Sequence, residues 1–197
     1  PTVTIPAGTE VATARTGEQL PIVFSTTEDR PIVTCSLKKL GSMLDETTLR
    51  DHSDALSLRK GTFPFSSPPK PGEALMVGLS DAVPGCAVNL RFTCRIEGVG
   101  VDPDDPPLRW EARVGEAWVP CELERDSTGG INRDGDVVVH VPKSHAVSTI
   151  DKVSAGWIRA VVTPPVEGQP VYSASPEIRG LTAYTIGGTA DALNAEL

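Results

Sequence analysis

His140 and His145 stand on either side of Pro142 with Asp126 upstream, and imidazoles near a carboxylate are ligand types that zinc takes. A zinc site also needs a further ligand held at a rigid spacing, and this stretch supplies none, so His140 is read as a surface or rim histidine. His52 lies in Asp51-His52-Ser53-Asp54, where two carboxylates could hold a cation, but so polar a run reads as solvated loop. The turn GINRDGD, residues 130–136, puts Asn132, Asp134 and Gly135 at positions 3, 5 and 6 of an EF-hand type of calcium loop. Its first position would be Gly130 and its twelfth Val141, where calcium requires hard oxygen ligands. The expectation is an Asp-Gly hairpin turn without metal.

Nucleophilic catalysis finds no better footing. The chain has no G-x-S-x-G elbow, and no cysteine has a convincing histidine partner. The paired carboxylates Asp104 and Asp105 sit in a proline loop. Gly98-x-Gly100 runs into Val101-Asp102-Pro103, which does not open a helix and so makes no phosphate cradle. Neither an enzyme activity nor a cofactor is expected. Cys35, Cys86, Cys94 and Cys121 contain no C-x-x-C pair. On one continuous strand Cys86 and Cys94 would be ~26 Å apart, too far to bridge. They are read as small core hydrophobes of a reduced protein made in the cytosol.

The elements that would hold these residues are strands. Thr2 to Ser36 carries β-branched runs around a Pro6-Ala7-Gly8 turn and reads as a meander of short strands, with Pro6, Pro21 and Pro31 at starts, edges or turns. Residues 37–62 are polar, with Leu37, Leu40, Leu44 and Leu49 in a broken helical spacing. They read as a long connection with one helical turn. PFSSPPKPGE, residues 64–73, is punctuation between sub-domains. Strands follow at 74–79 and at 87–97, the latter alternating apolar and polar side chains. A hairpin is expected from strands 108–114 and 117–124 around Gly115-Glu116. Further strands are DVVVHVP, GWIRAVVT and 177–186. Thr189 is a suitable N-cap for a helix starting in the tail. The predicted fold is all-β: an antiparallel β-sandwich-like domain over 68–186, preceded by a smaller strand-rich sub-domain over 1–67, with little helix. Residues 187–197 would start a linker or helix towards a following region.

The bulk numbers agree with a globular chain: 39% hydrophobic and 22% charged residues. A net charge of −8 without a basic stripe excludes nucleic acid as a partner. No apolar run approaches the ~20 residues of a membrane span. The start, PTVTIPAGTE, has no initiator Met, basic n-region or apolar h-region. It reads as the start of a piece cut from a longer chain, not as a signal peptide.

All three tryptophans, Trp110, Trp118 and Trp157, fall between Leu108 and Arg159. Exposed on a β-sandwich they could stack on sugar rings, which makes a carbohydrate-binding module for surface recognition the rival reading. A tryptophan in a strand is more often core, burying a large apolar area against the facing sheet.

The wording of the chain resembles a known family. IPAGTEVAT near the start, FSTTED at 24–29 and PGEALMVGL at 71–79 are followed by PPLRWEARVGEAWVPCE, DSTGGINRDGDVVVHVP, GWIRAVV and YSASPEI. In order and spacing this series is similar to the large baseplate assembly proteins of contractile injection systems, the baseplate J-like group of phage-tail-like particles. The resemblance runs from about Thr2 to Leu197, whereas family members are several-fold longer. It implies a structural role in the baseplate wedge, as scaffold and contact surface between subunits, with other wedge subunits and sheath, hub or tail-fibre proteins as partners. It also implies synthesis in the bacterial cytoplasm and assembly into a particle, with no membrane insertion. It carries over no catalytic residue. Trp110, Glu111, Trp118, Asn132, Arg133, Asp134, Trp157 and Arg159 become fold-defining or contact positions, with Asn132 and Arg133 placed on a turn for partner contact.

Overall fold

The computed structural model describes residues 2–14, 21–45, 47–95 and 100–194, and the fold is all-β. The first strands are short: β1 (Val3–Ile5), β2 (Glu10–Ala12), β3 (Val23–Thr26) and β4 (Arg30–Ile32). Then come β5 (Leu37–Met43), β6 (Leu49–Asp51) and a single helical turn and a half, α1 (Ser53–Ser57). The longer strands follow: β7 (Ala74–Leu79), β8 (Cys86–Arg95), β9 (Leu108–Val114) and β10 (Ala117–Pro120). The chain continues through β11 (Glu122–Asp126), β12 (Gly135–His140), β13 (Val147–Ile150), β14 (Val153–Val162), β15 (Glu177–Gly188) and β16 (Ala192–Asn194).

Two antiparallel sheets form the body. One runs β10-β9-β14-β7-β5-β6, with β13 beside β14, and the other runs β11-β12-β8-β15. Period-two alternation sends one set of side chains from each sheet into a shared core. Leu75, Val77 and Leu79 of β7 and Ile158, Ala160 and Val162 of β14 meet Val88, Leu90 and Phe92 of β8 and Val137 and Val139 of β12. Trp110 enters the same core, its ring 6.3 Å from that of Phe92. The seven-stranded sheet is apolar on its outer side as well, where Leu49, Ala74, Met76, Ala155, Trp157 and Val161 cluster. Hence every residue of β7 is buried.

Several expectations change. Residues 37–62, read as a connection, supply β5 and β6 to the main sheet, β5 pairing with β7 from Leu37 to Met43. Polar residues tolerate this because Lys39 points outward onto Asp51 and Ser42 is buried against His52. The first four strands are not a meander: β1 pairs with β4, and β2 with β3. The strand expected over 117–124 breaks at Cys121, where the chain leaves one sheet for the other. The Cys121 N–H stays bonded to the Trp110 carbonyl, 2.9 Å away. The tail forms β16, antiparallel to β3, in place of the helix expected after Thr189; residues 195–197 of that stretch lie outside the described residues. The small sheets are tied to the sandwich by ion pairs of Lys143 with Asp191 and Glu28, and Glu28 is also paired with buried Arg30. All four cysteines are free, Cys86 and Cys94 lying eight residues apart on β8.

The β11–β12 turn is built on two adjacent left-handed glycines, Gly129 (φ 61°) and Gly130 (φ 76°). A Cβ on Gly130 would lie 2.6 Å from the Tyr172 hydroxyl and 2.7 Å from Pro106. That hydroxyl, deep in the structure, donates to the Gly130 carbonyl at 2.8 Å. Gly130→Ala therefore combines a left-handed strain of ~1–2 kcal/mol with an overpacking cost of ~1–3 kcal/mol. A loss of about 2 kcal/mol or more is expected in denaturant unfolding, and an unchanged midpoint would show that the loop moves aside freely.

His52 is buried, not solvated: Nε2 meets Ser42 Oγ at 2.9 Å and Nδ1 meets Thr62 Oγ1 at 2.6 Å. His145 is buried too, its Nδ1 accepting the Val83 N–H at 3.1 Å. Desolvation lowers the pKa of both rings, with repulsion from Arg50 adding to it at His52. A depressed folded pKa means that the unfolded chain binds protons more readily, so this stability is full above ~6.5 and is lost as pH falls through the folded values. Urea midpoints are expected to fall between about pH 7 and pH 5, and a flat profile over that range would refute the account.

Candidate functional site

Strand alternation on β14 sends Ala155, Trp157, Arg159 and Val161 to the outer side of the large sheet, opposite the shared core. The register sets Arg159 beside Glu111 of β9, and Trp118 of β10 beside Arg113. Glu111 is buried and holds two guanidinium groups. Arg159 reaches Oε2 through Nε at 2.7 Å and Nη2 at 2.6 Å, and Arg109 reaches Oε1 at 2.7 Å through each of the same two nitrogens. A desolvated carboxylate is tolerable only when neutralised and hydrogen-bonded in this way.

Trp118 completes the cluster. The Arg159 guanidinium carbon lies 4.3 Å from the indole centroid and that of Arg113 lies 5.3 Å away, both within cation–π range. Beside this stack is a depression of about 360 Å³ lined by Met43, Asp45, Ala74, Trp118, Arg159 and Val161. Asp45 forms its acidic wall. Its Oδ1 accepts from the N–H groups of Thr47 and Thr48 and from the Thr47 hydroxyl, and these bonds lower its pKa. The depression thus offers an aromatic edge, a thioether, a guanidinium and a carboxylate, which are binding groups. Cys94 and Cys121 are poor nucleophiles, because burial pushes their thiols up to about 12.

The structure gathers some of the expected residues and separates others. Glu111, Trp118 and Arg159 form one cluster, and Trp157 lies in the apolar patch on the same outer side, 0% exposed. Its indole N–H has no partner among the described residues. Trp110 is 3% exposed in the shared core. Asn132, Arg133 and Asp134 are on the β11–β12 turn of the other sheet. There the carboxylates cap backbone: Asp126 accepts from the N–H groups of Thr128 and Gly130, and Asp134 accepts from the Cys94 N–H at 2.7 Å. Arg133 and Asp134 are exposed and Asn132 is half-buried. His140, half-buried, bonds Glu124 and Thr189.

Arg109, Arg113 and Asp45 were missed from sequence. Alternation over 108–114 already puts Arg109, Glu111 and Arg113 on one side, and the hairpin turn at Gly115-Glu116 aligns Trp118 with them. Nothing local foretells Arg159 or Asp45, which long-range pairing delivers. Comparison with family models finds no match to the chain, and none of the curated proteins matches it.

Removing one partner of a buried ion pair costs ~3–5 kcal/mol, against ~0–1 kcal/mol for an exposed one. Arg159→Met is therefore expected to cost about 3 kcal/mol and to alter Trp118 emission. Arg109→Ala, at a half-exposed guanidinium, should cost less, about 1–2 kcal/mol, because it leaves one buried oxygen of Glu111 without its donor. Denaturant unfolding followed by tryptophan fluorescence measures both, and equal losses would show that Arg109 and Arg159 share the charge evenly.

Proposed function

We propose that this chain is a structural component of the baseplate wedge of a contractile, phage-tail-like injection system, acting as scaffold and contact surface between baseplate subunits. The observation that carries this reading is the ordered series of motifs from IPAGTEVAT to YSASPEI. The physical features that support it are those of a rigid part. The central strands of the seven-stranded sheet are apolar on both sides, and the glycine turn is locked by Tyr172 and Pro106. Partners would be other wedge subunits, with sheath, hub or tail-fibre proteins as further contacts, and the chain would act without catalysis or cofactor. Among the described residues no helix is long and apolar enough to cross a membrane.

A carbohydrate-binding role has one residue left to support it. Trp110 and Trp157 are buried, and the half-exposed Trp118 carries Arg159 against its ring. Sugar stacking needs an open ring face.

Deleting residues 1–197 from the encoding gene and imaging the particles tests the scaffold reading. Absent or incomplete baseplates are expected, and normal, contraction-competent particles would overturn it. On a glycan array the chain is expected to bind nothing. Binding that disappears with Trp118→Ala would establish the carbohydrate reading instead.

A further inference from the structure

The outer strand β15 of the four-stranded sheet is met by neighbouring chain at two points. Thr62 bridges to Ile178, and the Thr185 hydroxyl donates to the Val33 carbonyl. Between these points, beside α1, two depressions of about 330 and 580 Å³ meet at Leu56 and Leu181. The rim is basic and apolar. Arg59 and Lys60 are exposed and their side chains pair with no carboxylate among the described residues, while Arg179 lines the larger depression and bonds Glu177. Leu58, 64% exposed, and Phe63, 52% exposed, flank these two cations along the chain. In a chain of net charge −8, such a patch is complementary to acidic surface with an apolar anchor.

The opposite edge of the same sheet carries that pattern. β11 begins Glu122-Leu123-Glu124, all exposed, with Leu123 47% accessible. The Glu122 carboxylate makes no hydrogen bond or ion pair with the described residues, while the Glu124 carboxylate bonds His140. Sidedness also agrees. Leu123 pairs with Val139 and Leu181 with Phe92, both core-facing side chains. A β11 edge continuing the sheet alongside β15 would therefore turn Leu123 towards Leu181 and the glutamates towards the other side.

We propose that the groove beside α1 and β15 seats the Glu122–Glu124 edge of a second copy of this chain. Leu123 enters between Leu56 and Leu181, and the carboxylates face Arg59, Lys60 and Arg179. Donor and acceptor lie on opposite edges of one sheet, so the contact is heterologous. It repeats head to tail and either closes into a ring or extends as a filament. The inference is independent of the baseplate reading, since it uses only the two edges.

Size-exclusion chromatography with light scattering over a concentration series tests it. The parent chain is expected to grow beyond monomer mass with concentration. Leu123→Asp, which removes the anchor, and Arg59→Glu/Lys60→Glu, which reverses the groove, should each weaken self-association by about tenfold or more. An equimolar mixture of the two variants retains one intact groove and one intact edge, so it should form a two-chain complex that does not grow further. Both substitutions are at exposed positions, and thermal melts matching the parent verify the fold; Glu122→Lys serves as a second edge variant. A parent chain that stays monomeric to about 1 mM, variants that associate as the parent does, or folded variants that fail to complement would each overturn the proposal.

Discussion

Trp157 lies directly across from Gly78 in the pairing of β14 with β7, and a Cβ on Gly78 would come within 3.1 Å of the indole ring, of Ala155 and of Lys39. The missing side chain is the space into which the indole folds. Once there, the ring is wholly enclosed and packs with Met76, Leu49 and Ala74, so the central strands of the large sheet are apolar on both sides. Burial of a tryptophan contributes ~1.5–3 kcal/mol or more of transfer free energy. It also explains why β5 and β6, polar by composition, are drawn into the sheet: Leu49 and Met43 supply the apolar contacts on that side.

The outer side changes character within one residue step along β14. Trp157 belongs to the apolar patch, Arg159 to the ion-pair cluster and Val161 to the wall of the depression. Placing a carboxylate as deeply buried as Glu111 next to that patch is costly unless both oxygens are occupied, and two arginines occupy them. The geometry is consequently stiff. The guanidinium that neutralises Glu111 is the one that lies against Trp118, so any ligand or partner approaching the indole meets a group already engaged on its far side.

Much of the architecture was legible because β structure writes itself into alternation. The strand expected at 87–97 shows the pattern and is found from Cys86 to Arg95, residues 96 and 97 lying outside the described residues; Asn89 in its buried first half reaches Asp136 and Tyr184. The hairpin at Gly115-Glu116 and the last long strand likewise lie where composition places them. Polar segments were harder to read. Residues 37–43 set Lys39 outward and Leu40 inward, but a glycine, two lysines and a serine hide the signal. His52 looks solvated in Asp-His-Ser-Asp and is buried because Ser42 and Thr62 satisfy both ring nitrogens.

From sequence alone came the all-β class, the tryptophan-bearing hairpin, the unpaired cysteines and the replacement of hard calcium ligands by glycine and valine at the ends of the 130–141 loop. Each depends on residues near one another along the chain, where spacing and side-chain chemistry suffice. Tertiary structure decided which side of the sheet each tryptophan occupies, that Arg159 reaches Glu111 across 48 residues, and that the tail returns to pair with β3. These are choices of register between distant strands, and a shift of one residue would have turned each such side chain to the opposite side of its sheet.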